Sequence, residues 1–354
     1  VNSEWQAWLR TKGAVFDADV PCRFGDCRDE IRAAASGTVI AALTRHGLIR
    51  AEGADATTFL QGQLSNDIAA LQADRHQLAA YCTPKGRMLA LFRVFRRDGY
   101  VYLASPMAIR DAVLPRLRMY VMRAAASLSA ADDVVAIGLS GPEATPLLET
   151  HLGATPPAPD GAAIHDGVHV LTLPGPLPRY ECYGPLARIQ RLWESCATSA
   201  TPVGDDAWAW LDIQAGIPQI YTETVEAFVP QMANLDAING ISFKKGCYPG
   251  QEIVARMRYL GKLKQRMYRA HVAGDAPIAP GTSLYASDFG DQSAGTVVLA
   301  QPAPESGIDL LAILQISSAE GGEVHAGSPD GPRLAISAVP YSLPEEDQRR
   351  ERTT

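Results

Sequence analysis

Apolar residues along the chain follow two periods, and the change of period divides it. Short runs rich in β-branched and aromatic residues predict strands at 39–43, 48–51, 77–82, 88–95, 100–104, 134–139, 168–173 and 179–183. Helical spacing predicts helices at 53–64, 106–121, 141–152, 185–196, 205–214 and 251–260, with Gly216 and Pro218 ending the 205–214 segment. Thr83, Pro84, Lys85 and Gly86 join two of the strands as a hairpin signal. Residues 153–168, rich in Pro, Gly and Ala, read as a surface loop. Beyond Gly261 the runs at 265–272, 295–299 and 310–316 are short and bounded by Gly and Pro, which predicts an all-β module of about 75 residues. At the N-terminus Ser3 and Gln6 form a capping-box pattern with Ser3 as N-cap, before a stripe of Trp5, Trp8 and Leu9. The stretch between Cys22 and Cys27 reads as irregular, and its spacing is not that of a zinc site. His46 falls in a predicted inter-strand turn, and the residues after Pro344 read as a loose tail.

Bulk properties narrow the class. A chain of 354 residues implies two or three domains. No apolar run is long enough to span a bilayer, and no basic segment followed by an apolar one marks a secretory signal. No membrane partner is expected, and a cytoplasmic location is. The six cysteines are scattered, which favours reduced thiols over a disulfide framework. With no long heptad, a monomer is expected.

Charge is more informative. The net charge is −7, yet residues 244–269 hold eight basic residues and one acid, Glu252. A segment at +7 leaves −14 for the rest, which indicates a local anion site rather than a nucleic-acid surface. A solvated helix face is the alternative, and the loss of sign mixing over these 26 residues weighs against it. Direct tRNA binding is not expected; if it occurred, it would weaken steeply with salt.

The densest chemistry lies in the run Lys244, Lys245, Gly246, Cys247, Tyr248, Pro249, Gly250, Gln251 and Glu252. It places a thiol beside two ammonium groups and just before a predicted helix start, a setting that favours thiolate chemistry. Cys247 is thereby a candidate nucleophile, redox handle or metal ligand. A small apolar residue filling a turn is the equal alternative.

These residues, together with others in the same order, resemble the YgfZ-type folate-binding proteins, relatives of the glycine-cleavage T-protein (aminomethyltransferase). The sharpest stretches are 228–235 and 240–252; weaker ones are 59–67, 83–87, 215–218 and 340–343. The resemblance spans roughly 36–345. It implies an α+β, aminomethyltransferase-like cloverleaf of two interleaved α/β parts plus a C-terminal antiparallel β-barrel, around a central hole for tetrahydrofolate. The implied division is an N-terminal extension with a short helix (1–35), a folate-binding α/β core (36–264, its second subdomain about 130–204), a β-barrel (265–343) and a loose tail (344–354). It further implies a role in assembling or repairing iron–sulfur clusters, and through cluster enzymes in tRNA thiomodification. Client proteins or assembly machinery would be the partners. No resident metal is implied.

By the same match Cys247 is the redox or cluster thiol, with Lys245 and Glu252 as catalytic candidates. A pterin needs stacking aromatics and paired hydrogen bonds, and a glutamate tail needs cations. Trp208, Tyr248 and Phe228 are candidates to stack, with core packing preferred for Phe228. Gln231, Asn234, Gln63 and Gln251 are candidates to pair, though Gln231 and Asn234 suit loop backbone groups equally well. Arg256, Arg258 and Lys262 are candidates for the tail. Two departures from the T-protein stand out. Its acid/base aspartate after the glycine is missing from the run Gly86 to Phe92, and its Arg and Glu are replaced by Asp212 and Gln214. An alternative function is a folate-dependent one-carbon (aminomethyl) transferase or demethylase, with Glu252 or Asp67 as a stand-in acid. Turn roles are preferred for Asn66 and Asp67.

Overall fold

Helix Asp205–Ala215 is buried at nine of its eleven positions, and its charged residues are buried with its apolar ones. A helix enclosed on all sides sits between layers rather than on one. Arg179 and Glu181 from one sheet bond to its Trp208, and Asp309 from another bonds to its Trp210 and Gln214. The structure is a computed structural model and describes residues 2–17, 20–153, 158–259 and 263–344. Lys262 and the tail beyond Pro344 lie outside the described residues.

Three larger sheets surround this helix. The first has five antiparallel strands in the order His76–Cys82, Met88–Arg97, Tyr100–Pro106, His46–Glu52 and Ser127–Ala130. The second has six, in the order Ala162–His165, Val168–Thr172, Arg179–Pro185, Val134–Ser140, Val39–Ala42 and Thr201–Val203, the last pair parallel. The third, in the order Val324–Ala326, Ser283–Ala286, Ser293–Pro302, Ile308–Gln315, Gln265–Val272 and Leu334–Ser337, is antiparallel throughout. A bridge between His325 and Arg333 draws its two ends together into a half-barrel. The mixed α+β architecture that the resemblance implies is present, and its strands lie at the apolar runs of the sequence. Among the described residues no helix is long and apolar enough to cross a membrane.

Four local readings are corrected. The first helix, Ser3–Thr11, is capped by Asn2, whose side chain accepts the Trp5 N–H; Ser3 is already helical. The Cys22–Cys27 stretch is ordered: Val20–Arg23 is a strand and Cys27–Ser36 a helix, with Asp26 accepting from the N–H groups of Arg28 and Asp29. The expected loop 153–168 contains the strand Ala162–His165, which pairs with Val168–Thr172 through Asp166 and Gly167, both at positive φ. Such a two-residue Asp-Gly turn matches the twist of a hairpin. His46 opens a strand rather than a surface turn.

Candidate functional site

The segment 244–252 is built on two glycines. Gly250 has φ +83°, and Gly86, in the turn after strand His76–Cys82, has φ +71°. Such backbone favours residues without a Cβ. The two turns meet there, so the hairpin at 83–87 and the start of helix Gln251–Tyr259 fix each other. Lys245 is buried, and its ammonium donates to the carbonyls of Gln61, Leu64 (2.6 Å) and Asn66 (3.0 Å). All three of its protons are thereby used, and it closes the turn after helix Ala56–Gln61. Burial pushes this group down to about 8, with the Asp67 carboxylate opposing. The ammonium also lies 5.1 Å from the centre of the buried Tyr248 ring. Gln251 donates back to the Lys245 and Gly246 carbonyls, each at 3.4 Å. Cys247 is exposed at the tip of this framework, while four of the other cysteines are buried and Cys27 is half-buried. Glu252 and Arg256 are exposed on the helix that follows.

Gln231 and Asn234 lie beneath that helix. The Gln231 amide donates to the Val254 carbonyl at 2.5 Å. Asn234, at φ +58° and fully buried, donates to the Met267 carbonyl at 2.8 Å and accepts its N–H at 3.3 Å. It thus pairs with a strand residue as a neighbouring strand would, and neither side chain faces a large cavity. Phe228 is core, and its carbonyl accepts from the Met88 N–H.

The large cavity, about 1090 Å³, opens beside these elements. Leu71, Leu78, Ile217 and Ile241 form apolar wall, and Tyr341 and Phe243 add aromatic surface. Among the described residues five cations line it, Arg75, Arg93, Lys244, Arg258 and Arg269, and one acid, Asp160. Arg93 is paired with Glu181 at 3.4 Å. The other four have no carboxylate partner among the described residues: Arg75 donates to the Pro159 carbonyl, and Arg269 to Gln214 and Ala338. The Arg258 guanidinium lies 4.2 Å from the centre of the Phe243 ring, with Tyr259 on the same rim. Of the sequence candidates for the ligand among the described residues, Arg258 alone lines this cavity. Trp208, Gln231, Asn234, Tyr248, Gln251 and Arg256 do not, nor do Cys247, Glu252 and Asp67.

Arg93 also lines a second, small cavity of about 60 Å³, shared with Glu181, Asp205, Asp212 and Trp208. Its pair with Glu181 thus joins two sheets and stands between the cavities. Burial pushes the Glu181 carboxyl up, but Arg93, His46, Tyr183 and Arg179 outweigh this and bring it down to about 2. Burial and the Arg93 charge push His76 down to about 3, so it is neutral at pH 7. Trp208 is enclosed: the Arg179 guanidinium stacks 4.3 Å from its ring centre, and its indole N–H donates to Glu181. A Cβ at Gly138 would stand 2.4 Å from the indole, so that glycine admits the ring. Asp212 binds Arg179 at 2.8 Å, so its charge is met inside the protein. Among the described residues no group of three His, Cys, Asp or Glu side chains is placed to hold a metal ion.

Sequence reasoning did not single out Arg75, Arg93 or Glu181. The usable signal was a charge inside an apolar run: Arg93 interrupts Met88–Arg97, and Glu181 interrupts Arg179–Pro185. A charge at a core position requires a partner.

Comparison with known proteins follows the same lines. The chain is 32% identical over 300 residues to "tRNA-modifying protein YgfZ" of Sodalis glossinidius (strain morsitans), covering 84% of this chain and 91% of that protein. It is 33% identical over 322 residues to the protein of that name from Enterobacter sp. (strain 638), covering 90% and 98%. Among solved structures, glycine cleavage system aminomethyltransferase T from Bartonella henselae superposes with a TM-score of 0.73 over 96% of both chains, at 16% identity. No protein-family model matches.

Proposed function

The chain belongs to the YgfZ family, and from that premise we propose that it holds a tetrahydrofolate in the large cavity and uses Cys247 in iron–sulfur cluster assembly or repair, serving tRNA modification indirectly. One observation carries the folate reading: among the described residues, an apolar-walled cavity of about 1090 Å³ carries four cations without carboxylate partners against a single acid. A folate has that division of chemistry, a flat heterocycle at one end and a dicarboxylate at the other. Leu71, Leu78, Ile217 and Ile241 would flank the rings. Arg269, half-buried and steadied by Gln214, and Arg258 would hold the two carboxylates of the first glutamate. The bound folate would supply a one-carbon carrier; the chain's own part is to bind and orient it.

The placement of the signature residues supports a separate task for the thiol. Lys245 is committed to three carbonyls and acts as a positioning residue for the 244–252 loop. Cys247 is exposed and outside the cavity lining, where a partner protein can reach it. A single thiol does not complete a cluster's four ligands, so a client would supply the rest. Transferase chemistry finds less support: Glu252 and Asp67 both lie outside the cavity lining.

Calorimetric titration of tetrahydrofolate into the wild type and Cys247→Ala tests this. Equal binding by both, with loss of cluster-enzyme activity in cells carrying the variant, is the expected result. Failure of the wild type to bind any reduced folate refutes the reading.

A further inference from the structure

Among the described residues four acids line the small cavity of about 60 Å³: Glu181, Asp205, Asp206 and Asp212. Three of them have a cation. Glu181 has Arg93, Asp206 has Arg23 at 3.2 Å, and Asp212 has Arg179. Asp205, the first residue of helix Asp205–Ala215, has none among the described residues. It is 8% exposed and accepts the Thr44 hydroxyl at 2.7 Å and the Arg45 N–H at 3.1 Å. Burial pushes this carboxyl up; the two hydrogen bonds, and then the charges of His46 and Arg45, oppose it. The Arg45 side chain is exposed at the mouth of the same cavity and makes no ion pair among the described residues. Its charge therefore reaches Asp205 across a gap rather than through a contact. Burial also pushes the Tyr221 phenol up; Asp212 adds to this, Arg45 opposes it and Asp205 adds again, so Tyr221 is a neutral donor within reach of both ends of the gap.

We infer that this cavity binds a small zwitterion, an α-amino acid of about the size of alanine, with its ammonium on Asp205 and its carboxylate on Arg45. A buried carboxylate lacking a counter-ion and a guanidinium standing apart from it call for a ligand with the opposite charges at its two ends. An acid in the first turn suits the helix dipole, but that does not account for the space beside it or for the unpaired Arg45. At roughly 10–15 Å³ for each water-sized group, the cavity admits about four to six non-hydrogen atoms. That excludes a folate, and Arg93, paired with Glu181, stands between this cavity and the large one. An inorganic cation is the competing occupant. It would answer Asp205 and leave Arg45 unmet.

The test follows the Trp208 indole N–H by NMR in the full chain, because that ring lines the cavity and its N–H donates to Glu181. The probes are L-alanine, ethylammonium (alanine without its carboxylate), L-leucine and potassium chloride. Arg45→Gln is at an exposed position, and a thermal melt verifies its fold. L-alanine is expected to move the Trp208 signal saturably in the wild type. Arg45→Gln is expected to weaken L-alanine about tenfold and to leave ethylammonium within about twofold. L-leucine, too large for the cavity, is expected to bind at least about tenfold more weakly than L-alanine. A signal that L-alanine leaves unmoved overturns the inference, as does equal L-alanine affinity in the wild type and Arg45→Gln. L-leucine bound as tightly as L-alanine overturns it too. Potassium that moves the signal and displaces L-alanine would assign the cavity to an inorganic cation, with the same consequence.

Discussion

Gly250 and Gly86 touch through their backbones: a Cβ on Gly250 would stand 2.7 Å from the Gly86 Cα and 2.5 Å from the Thr83 carbonyl oxygen. The contact ties the 83–87 hairpin to the turn that carries Cys247. Gly250→Ala therefore meets both a steric clash and an unfavourable positive φ. It is expected to cost about 3 kcal/mol in urea unfolding. Gly246→Ala, with nothing within 4 Å of the added methyl, serves as control and is expected to stay within about 0.5 kcal/mol. Equal costs would mean the two turns are not locked together.

Lys245→Met removes the donor shared by three carbonyls and is expected to cost about 2–4 kcal/mol at pH 7. The pH dependence has a definite sign. The folded group releases its proton near 8 and the unfolded one near 10.5. Between these values the unfolded chain holds more protons, so this group adds stability as pH rises. The wild type's advantage over Lys245→Met should thus widen from pH 8 to 10.5 in parallel unfolding titrations. A constant gap would remove Lys245 as a buried, titrating ammonium.

Arg93→Met leaves the buried Glu181 carboxylate without its pairing cation. The expected loss at pH 7 is about 3–5 kcal/mol. Glu181 in the wild type is held near 2 against an ordinary 4.5. Its contribution is present above 4.5 and lost as pH falls toward 2. The gap between wild type and variant should accordingly narrow over that interval. Arg93→Met combined with Glu181→Gln should recover part of the loss; a double variant as unstable as the sum of both would show the two are uncoupled.

Much of the fold was readable because strand and helix periods are strong where one face is buried. Runs such as those over Met88–Arg97 and Val134–Ser140 left little ambiguity. The Asp166–Gly167 hairpin was missed although its turn dipeptide was present, because Pro and Gly dominated the surrounding composition. The thiol and two ammonium groups of the run 244–252 marked the Cys247 loop in the sequence. What the sequence hid was which side chains converge. Trp208 and Gln214 lie on one helix, yet they line different cavities. Asn234 and Gln231 sit in the signature stretch, but their amides pair with backbone at Met267 and Val254. Arg75 reaches the cavity from a region far in sequence from Arg269, and no local pattern records that meeting.

Ala237 is half-buried and lines the large cavity, so Ala237→Trp should fill space there without opening the core. Titration of tetrahydrofolate into wild type and Ala237→Trp, with matched thermal melts, is the most direct test of the central claim. Wild-type binding weakened at least about tenfold in the variant is the predicted result, a bulky ring displacing the ligand from its cavity. Undiminished binding by a folded Ala237→Trp would place the folate elsewhere and contradict the account.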